Sequence, residues 1–312
     1  MTTQDKHSHH DHDHSSHGHS HPAPAYSRAF LIAIVANGIF VICQIVFAII
    51  ANSSSLLADA IHNLGDVLGL ILSWIANSLL TRSPTDKTTY GLKKTSIIAA
   101  LTNGILLVFT CGIIATDAVY KLFSETEVQA VSVMVVAAIG ILVNGATAAL
   151  FMKGTDDLNI KSAFLHLLYD AFISVGVVIS AAILYWTGWQ WIDPVVGILI
   201  AVIIIKGTWG LFKDSFRLLI DGVPTGISLI AVRDQLEAIP GVKQVHDLHI
   251  WALSTRENAL SVHLWMPEQV LSDERRREVV SMLEKSHNIT HVTIQVESSL
   301  EYCEDACSPN ER

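Results

Sequence analysis

The segment ADAIHNLGDVLG, residues 58–69, places His62 and Asp66 four positions apart inside a strongly apolar run. The segment SAFLHLLYDAF repeats this interval with His166 and Asp170. Residues four apart on an α-helix lie on one face, one turn above each other. Each segment therefore presents an imidazole beside a carboxylate, and these two pairs decide how the rest of the chain is interpreted.

The four side chains of the two pairs form a recognisable donor set. Two imidazoles and two carboxylates match the tetrahedral, borderline-soft preference of Zn²⁺, and two negative charges balance its two positive ones. An ionisable group at the centre of a spanning helix costs about 2.5–3.5 kcal/mol, so it needs a function. The alternative is that each His and Asp only hydrogen-bonds a neighbouring helix. The repeated spacing favours one metal site made of His62, Asp66, His166 and Asp170.

The composition is that of a polytopic membrane protein. Of 312 residues, 51% are hydrophobic and only 16% are charged. Six apolar stretches are long enough, at about 20 residues each, to cross a bilayer. They are Ala29–Ala51, Leu56–Leu80, Ser96–Leu122, Val128–Met152, Ser162–Trp186 and Pro194–Phe212. We therefore predict an all-α, six-helix transmembrane domain over residues 26–219, with the lipid bilayer as its surroundings.

Basic residues indicate the orientation in the membrane. The connections after spans two and four, together with the flanks of spans one and six, are rich in Lys and Arg, whereas the opposite loops carry only Lys121. Because basic loops stay inside, both termini are predicted to be cytoplasmic. Short loops favour a bacterial inner membrane. The net charge of −9 and the lack of a basic patch argue against nucleic acid as a partner.

Two terminal segments have unusual composition. Residues 1–25 hold eight of the fifteen histidines, interleaved with Asp, Ser and Gly. Such a segment is expected to stay disordered and to bind cations weakly, although an expression tag has a similar composition. Residues 301–312 form an acidic tail in which Cys303 and Cys307 lie one helical turn apart, either as thiolate ligands or with no role in binding.

Residues 220–300 have the pattern of a small α+β domain. Periodicity predicts helices over 227–238 and 272–287, and strands over 242–253, 259–266 and 291–297. The order helix, strand, strand, helix, strand is typical of a ferredoxin-like, metallochaperone-like fold. With the orientation given above, this domain is cytoplasmic.

Histidines in this domain suggest a second metal site. His246 and His249 flank one strand segment, His263 lies on the next strand, and Glu297 ends the last. Side chains on one face of paired strands approach within about 5 Å, so His249, His263 and Glu297 can share one Zn²⁺, with His246 beside them. The alternative is a surface domain with exposed histidines.

Further polar residues lie within the spans. Asp59 shares the helix face of His62, which makes it either a vestibule residue or accessory proton carrier near the outer mouth, or a residue exposed at the membrane surface. Interhelical hydrogen bonds, or support of metal ligands, are predicted for Asn37, Gln44, Asn103 and Asn144.

Six segments in this order resemble the cation diffusion facilitator family, in its zinc-type branch. They are SSSLLADAIHNLGD, YGLKKTSIIAALTNG, AFLHLLYDAFISVGVVISA, WIDPVVGILIA, VHDLHIWAL and HVTIQVE. The resemblance covers about Ser53 to Glu297. It implies a homodimeric six-span transporter that exchanges Zn²⁺ for H⁺, with a metallochaperone-like cytoplasmic domain and with the two His-x-x-x-Asp pairs as the transport site.

The sequence departs from the family pattern in two loops. Many members carry a histidine-bearing site between spans two and three, but residues 81–97 contain no histidine and offer Lys93 and Lys94 instead. The histidine-rich loop between spans four and five is reduced to KGTDDLN. We therefore expect no metal site between spans two and three. In the loop between spans four and five the change affects the route of metal delivery, since the histidines lie at the N-terminus instead, and leaves the chemistry of the transport site as it is.

Two other functional classes are alternatives to export. A membrane zinc hydrolase is disfavoured because the chain has no His-Glu-x-x-His and because four protein ligands leave no open position, so we expect no enzyme. A membrane-bound metal sensor or store without transport stays open. The donor set suits Zn²⁺, tolerates Cd²⁺ and Co²⁺, and suits Mn²⁺ less.

Overall fold

Six long helices form the first two thirds of the chain. The computed structural model describes residues 27–151, 158–268 and 270–299. The histidine-rich segment 1–25 and the tail 301–312 with its two cysteines lie outside the described residues. The helices are α1 (Ser27–Ile50), α2 (Ser54–Leu80), α3 (Thr95–Leu122), α4 (Ala130–Phe151), α5 (Leu158–Thr187) and α6 (Ile192–Leu219).

The helices correspond one to one with the predicted spans. Over the described residues, α2 to α6 each contain a segment long and apolar enough to cross a membrane, and α1 contains a shorter apolar stretch, Val35–Ile50. In the bundle, α4 packs on α5 and α3 packs on α6, while α2 contacts α1, α3, α5 and α6. Its apolar core includes Leu56, Leu107, Ile114, Val177 and Ile200.

The start of α2 is fixed by the start of α6. Asp193, which is buried, accepts hydrogen bonds from the Ser53 hydroxyl at 2.6 Å, the Ser54 backbone N–H at 2.6 Å and the Ser55 hydroxyl at 2.5 Å. A carboxylate at a helix N-terminus satisfies orphan N–H groups and complements the helix dipole. Asp193 therefore anchors the helix that carries His62.

The second domain has the predicted order of elements. It comprises α7 (Leu229–Glu237), β1 (Gln244–Ala252), β2 (Asn258–Trp265), α8 (Asp273–His287) and β3 (Ile289–Glu297). The sheet has the order β1-β2-β3, with β1 antiparallel to β2 and β3 parallel to β2. The helix α8 supplies the crossover that a parallel pair requires. Both helices contribute to the core on one face of the sheet, through Leu236 and Leu283 among others.

Three polar contacts join the two domains near the loop between α2 and α3. Lys93 forms an ion pair with Glu257, Lys94 forms one with Asp221, and the Thr255 backbone N–H donates to the Ser96 hydroxyl at 3.1 Å. The C-terminal end of α2 and the N-terminal end of α3 therefore lie beside the small domain. We call this the domain end of the bundle, and the opposite end, which carries the turn between α1 and α2, the far end.

Close packing at the far end predicts a stability effect at Gly197. A Cβ atom at this position would lie 2.9 Å from the carbonyl carbon of Ser54 and 3.0 Å from its oxygen. Because backbone cannot yield as a side chain does, we expect Gly197→Ala to lower the free energy of unfolding by about 1–3 kcal/mol. Thermal unfolding in detergent measures it, with Gly207→Ala on the same helix as control, since that Cβ would meet nothing within 4 Å. Equal midpoints for both variants would contradict the close approach.

Candidate metal sites

The two predicted His–Asp pairs come together between α2 and α5. His62 Nε2 lies 3.0 Å from Asp170 Oδ1, and His166 Nε2 lies 3.3 Å from Asp66 Oδ1. Within each helix the His–Asp distances are 4.0 Å and 3.8 Å. The structure thus brings all four side chains into one cluster, as predicted. Each imidazole faces the carboxylate of the other helix.

The spacing of the ligand atoms fits a small divalent cation. Bonds of about 2.0–2.2 Å in tetrahedral geometry separate neighbouring ligand atoms by roughly 3.3–3.6 Å. His62, Asp66 and Asp170 each offer an atom within 4.8 Å of the other two, and His166 lies beside both carboxylates. Asp66 Oδ2 is buried and has no hydrogen-bond partner among the described residues. An unpaired buried carboxylate oxygen is costly unless something charged occupies the space beside it.

Exposure differs between the two ends of the cluster. The side chains of Asp170 and His62 are 3% and 12% exposed, whereas those of Asp66 and His166 are 29% and 49% exposed. The exposed pair lies nearer the domain end, because α2 runs from the far end towards the domain end. The two side chains nearer the domain end are therefore more exposed than the two nearer the far end.

A buried polar network lies beside the cluster, towards the far end. Asp59 Oδ2 accepts hydrogen bonds from Gln44 Nε2 at 2.6 Å and from the Ser174 hydroxyl at 3.0 Å, and Gln44 Oε1 accepts one from Asn63 at 3.1 Å. Asp59 is completely buried, so the expectation of exposure at the membrane surface is wrong. The predicted interhelical role of Gln44 is confirmed. The role of Ser174 is not predictable from the sequence, since a serine on an apolar helix carries no distinctive signal.

The small domain contains a second cluster of ligand types. His246 Nε2 and His263 Nδ1 lie 3.0 Å from the two oxygens of Glu297, and the two rings are 5.4 Å apart. His246, His263 and Glu297 each offer an atom within 4.8 Å of the others. His249 lies apart from this trio and is 61% exposed. The structure therefore groups His246, rather than His249, with His263 and Glu297.

Asp247 connects His249 with the trio. Its Oδ1 lies 2.9 Å from His249 Nε2, and its Oδ2 lies 3.4 Å from His263 Nε2. The strand β1 bulges here, since His246 pairs with His263 whereas His249 pairs with Ser261. One extra residue in β1 thus puts both histidines on the same face of the sheet. Two histidines three positions apart would face opposite sides of a regular strand. In the sequence, this odd spacing of His246 and His249 was the available signal that β1 bulges.

The fold and the clusters together define a class of protein. It is an integral membrane protein with a cluster of metal-ligand side chains between two of its helices and a second such cluster in an appended α+β domain. Residues 30–220 match the protein family described as "Cation efflux transmembrane domain". Residues 224–299 match the family described as "Cation efflux protein, cytoplasmic domain". The chain belongs to the cation diffusion facilitator family of metal cation efflux transporters, as the resemblance indicated.

Curated relatives match nearly the whole chain. It is 36% identical to the metal cation efflux system protein CzcD of Cupriavidus metallidurans, over 89% of this chain and 88% of that protein. It is 31% identical to the cadmium, cobalt and zinc/H(+)-K(+) antiporter of Bacillus subtilis, over 91% and 94% respectively. It is 30% identical to the zinc transporter ZitB of Escherichia coli, over 87% of both chains.

The bulge in β1 predicts a side-chain preference at position 247. Asp247 has a φ of 51°, a left-handed conformation that Asp and Asn tolerate and that β-branched residues avoid. We expect Asp247→Val to lower the free energy of unfolding by about 1–3 kcal/mol relative to Asp247→Asn. Chemical denaturation of the full-length protein in detergent, followed by tryptophan fluorescence, compares the two. If the valine variant is as stable as the asparagine variant, β1 does not bulge at this residue.

Proposed function

We propose that this protein exports Zn²⁺ from the cytoplasm across a bacterial inner membrane in exchange for H⁺, with Cd²⁺ and Co²⁺ as further cargo. The observation that carries the proposal is the crossed arrangement of His62, Asp66, His166 and Asp170, in which each imidazole faces a carboxylate of the other helix. The names of the relatives, which include zinc, cadmium and cobalt, agree with this choice of cargo.

The donor chemistry supports the choice of metal. Two imidazole nitrogens and two carboxylate oxygens suit Zn²⁺ in tetrahedral geometry, and Co²⁺ accepts a similar donor set, whereas Mn²⁺ and Mg²⁺ prefer all-oxygen sites. The two carboxylates also neutralise a divalent charge, which lowers the electrostatic cost of holding it among apolar helices.

Exchange for protons follows from competition at one site. A metal ligand must offer a lone pair, so a proton on His166 or Asp66 excludes the cation, and a bound cation excludes the proton. The exposure of these two side chains near the domain end supports loading from the cytoplasm. If the bundle opens the cluster to one side at a time, exclusive occupancy is sufficient to couple the two movements. His62 and Asp170, which are more buried, would hold the cation until the far end opens.

Transport in vesicles tests the assignment of the cluster. In proteoliposomes with an imposed pH gradient, the protein is expected to move Zn²⁺ against its own gradient. Asp66→Asn and Asp170→Asn each keep the size of the side chain but remove a negative charge, so we expect each to lower the initial rate at least 100-fold. A zinc-sensitive dye inside the vesicles measures the rate. Asp214→Asn serves as control, because Asp214 is a carboxylate on α6 that pairs only with Arg217 among the described residues.

The outcomes also separate export from storage. Unaltered Zn²⁺ movement in both site variants would refute the proposed site. In a zinc-sensitive bacterial host, total cellular zinc should fall when the protein is expressed, whereas a membrane-bound store or sensor would leave it unchanged or raise it. Zn²⁺ flux that does not depend on the pH gradient would refute proton exchange, but it would not contradict the assignment of the cluster as the transport site.

We further propose that the small domain binds Zn²⁺ as a regulatory ligand. His246, His263 and Glu297 supply two imidazoles and a carboxylate at distances suited to one cation. His249, through Asp247, lies next to this set rather than in it. One face of the sheet packs on α7 and α8, and the face that carries these ligands bears Trp251 and Trp265, only partly covered within the described chain. That face suits a second copy, so we propose a homodimer.

Zinc retention distinguishes the histidines of this domain. We expect His246→Ala to lower by one the number of tightly held zinc ions per chain, whereas His249→Ala leaves the number unchanged, because His246 is the one of these two that directly faces Glu297. Full-length protein in detergent, dialysed against a weak chelator and analysed by atomic absorption, gives the stoichiometry. Equal losses in both variants would show that His249 is a ligand after all.

A further inference from the structure

We propose that Asp59 and Ser174 form a second, oxygen-lined position for the cation, through which it leaves the His–Asp cluster towards the far end. The inference rests on the proposed function, because it assigns the next step on the same route. Neither Asp59 nor Ser174 belongs to the His–Asp cluster or to the cluster of the small domain.

Polar side chains of α2 and α5 face each other at three successive positions. Asp66 faces His166 at 3.3 Å, His62 faces Asp170 at 3.0 Å, and Asp59 faces Ser174 at 3.0 Å. Along α2 the three residues are spaced by four and three positions, and along α5 by four and four. Each step is therefore about one helical turn, or roughly 5 Å, further from the domain end. The three contacts form a continuous line of ligand-type side chains.

Asp59 has a spare oxygen in a closed environment. The residue is completely buried, and its Oδ2 accepts both hydrogen bonds of the network, from Gln44 and from Ser174. Its Oδ1 has no hydrogen-bond partner among the described residues. A carboxylate that only held helices together would be expected to use both oxygens, since an unpaired buried oxygen costs about 1–3 kcal/mol. The spare atom is a ligand position.

The network fixes Asp59 without filling that position. Gln44 on α1 donates to Asp59 and accepts from Asn63, so its amide is held from both sides. The Asp59 carboxylate is thus positioned by side chains of α1 and α5 while it belongs to α2. Positioned ligands with an open coordination atom are what a transient site requires.

The donor types suit release rather than storage. A carboxylate and a hydroxyl bind Zn²⁺ more weakly than a set that contains two imidazoles. A cation displaced by protons from the His–Asp cluster would meet a negative charge one turn away instead of bare apolar side chains. That charge lowers the barrier to leaving, whereas the weaker ligands keep the cation from being trapped there.

Kinetics and binding are expected to respond differently to Asp59→Asn. We expect a loss of at least tenfold in the initial rate of Zn²⁺ transport in proteoliposomes, with less than a threefold change in the Zn²⁺ dissociation constant of the full-length protein. The amide keeps the hydrogen bonds of the network but removes the charge. Asp117→Asn is the matched control, since Asp117 is a far-end carboxylate paired with Lys121.

Two results would overturn the inference, and a third would refute the proposed function instead. A rate within twofold of the wild type overturns the inference, and so does an equal loss of binding and transport, because that pattern makes Asp59 a residue that only positions His62. If the wild-type protein itself moves no Zn²⁺, the proposed function fails instead.

A thiolate at position 59 gives a readout that a purely structural residue would not produce. In a full-length chain with Cys43, Cys111, Cys303 and Cys307 replaced by serine or alanine, Asp59→Cys should give the ultraviolet charge-transfer absorption of a cadmium–thiolate bond when Cd²⁺ is added. Ala60→Cys, one residue along and equally buried, is the control and should give none. Absence of the band in folded Asp59→Cys protein, or equal bands in both variants, overturns the inference.

Discussion

The crossed register of α2 and α5 is the constraint on which the membrane domain depends. Both helices carry a histidine followed four positions later by an aspartate, and they run in opposite directions. Antiparallel packing therefore sets His62 against Asp170 and Asp66 against His166, at 3.0 and 3.3 Å. Parallel helices would instead have faced imidazole with imidazole and carboxylate with carboxylate, which would place two negative charges in contact inside a bilayer.

The register is held from outside the cluster. Asp193 fixes the first turn of α2 through three side-chain and backbone donors, and the approach of Gly197 to Ser54 leaves no space for α2 to slide along α6. His62 lies eight residues below that anchor, or about 12 Å along the helix. Because α6 fixes the first turn of α2, the side chains of His62 and Asp66 lie at a fixed depth in the bundle. The far end thus supplies the positioning, while the half-exposed His166 lies nearer the domain end.

The helix pattern made much of the fold and the His–Asp cluster predictable, because i and i+4 positions share a face whatever the tertiary packing. The order of elements in the small domain was predictable for the same local reason. The burial of Asp59 was not, since it depends on Gln44 from α1 and Ser174 from α5. The grouping of His246 with Glu297 was not either, because strand periodicity fails at Asp247, whose positive φ inserts the extra residue.

In the proposed exchange the direction of transport does not come from the cluster. A site that binds either protons or a cation, but never both, only links the two flows, and the steeper gradient decides which way they run. The side chains control the rate instead. Four ligands would hold the cation firmly, so a cluster without a neighbouring weaker site would release it slowly. In the proposed route, a position at Asp59 and Ser174 would replace one large step away from the His–Asp cluster by smaller ones, and its ligands are weaker than those of the cluster.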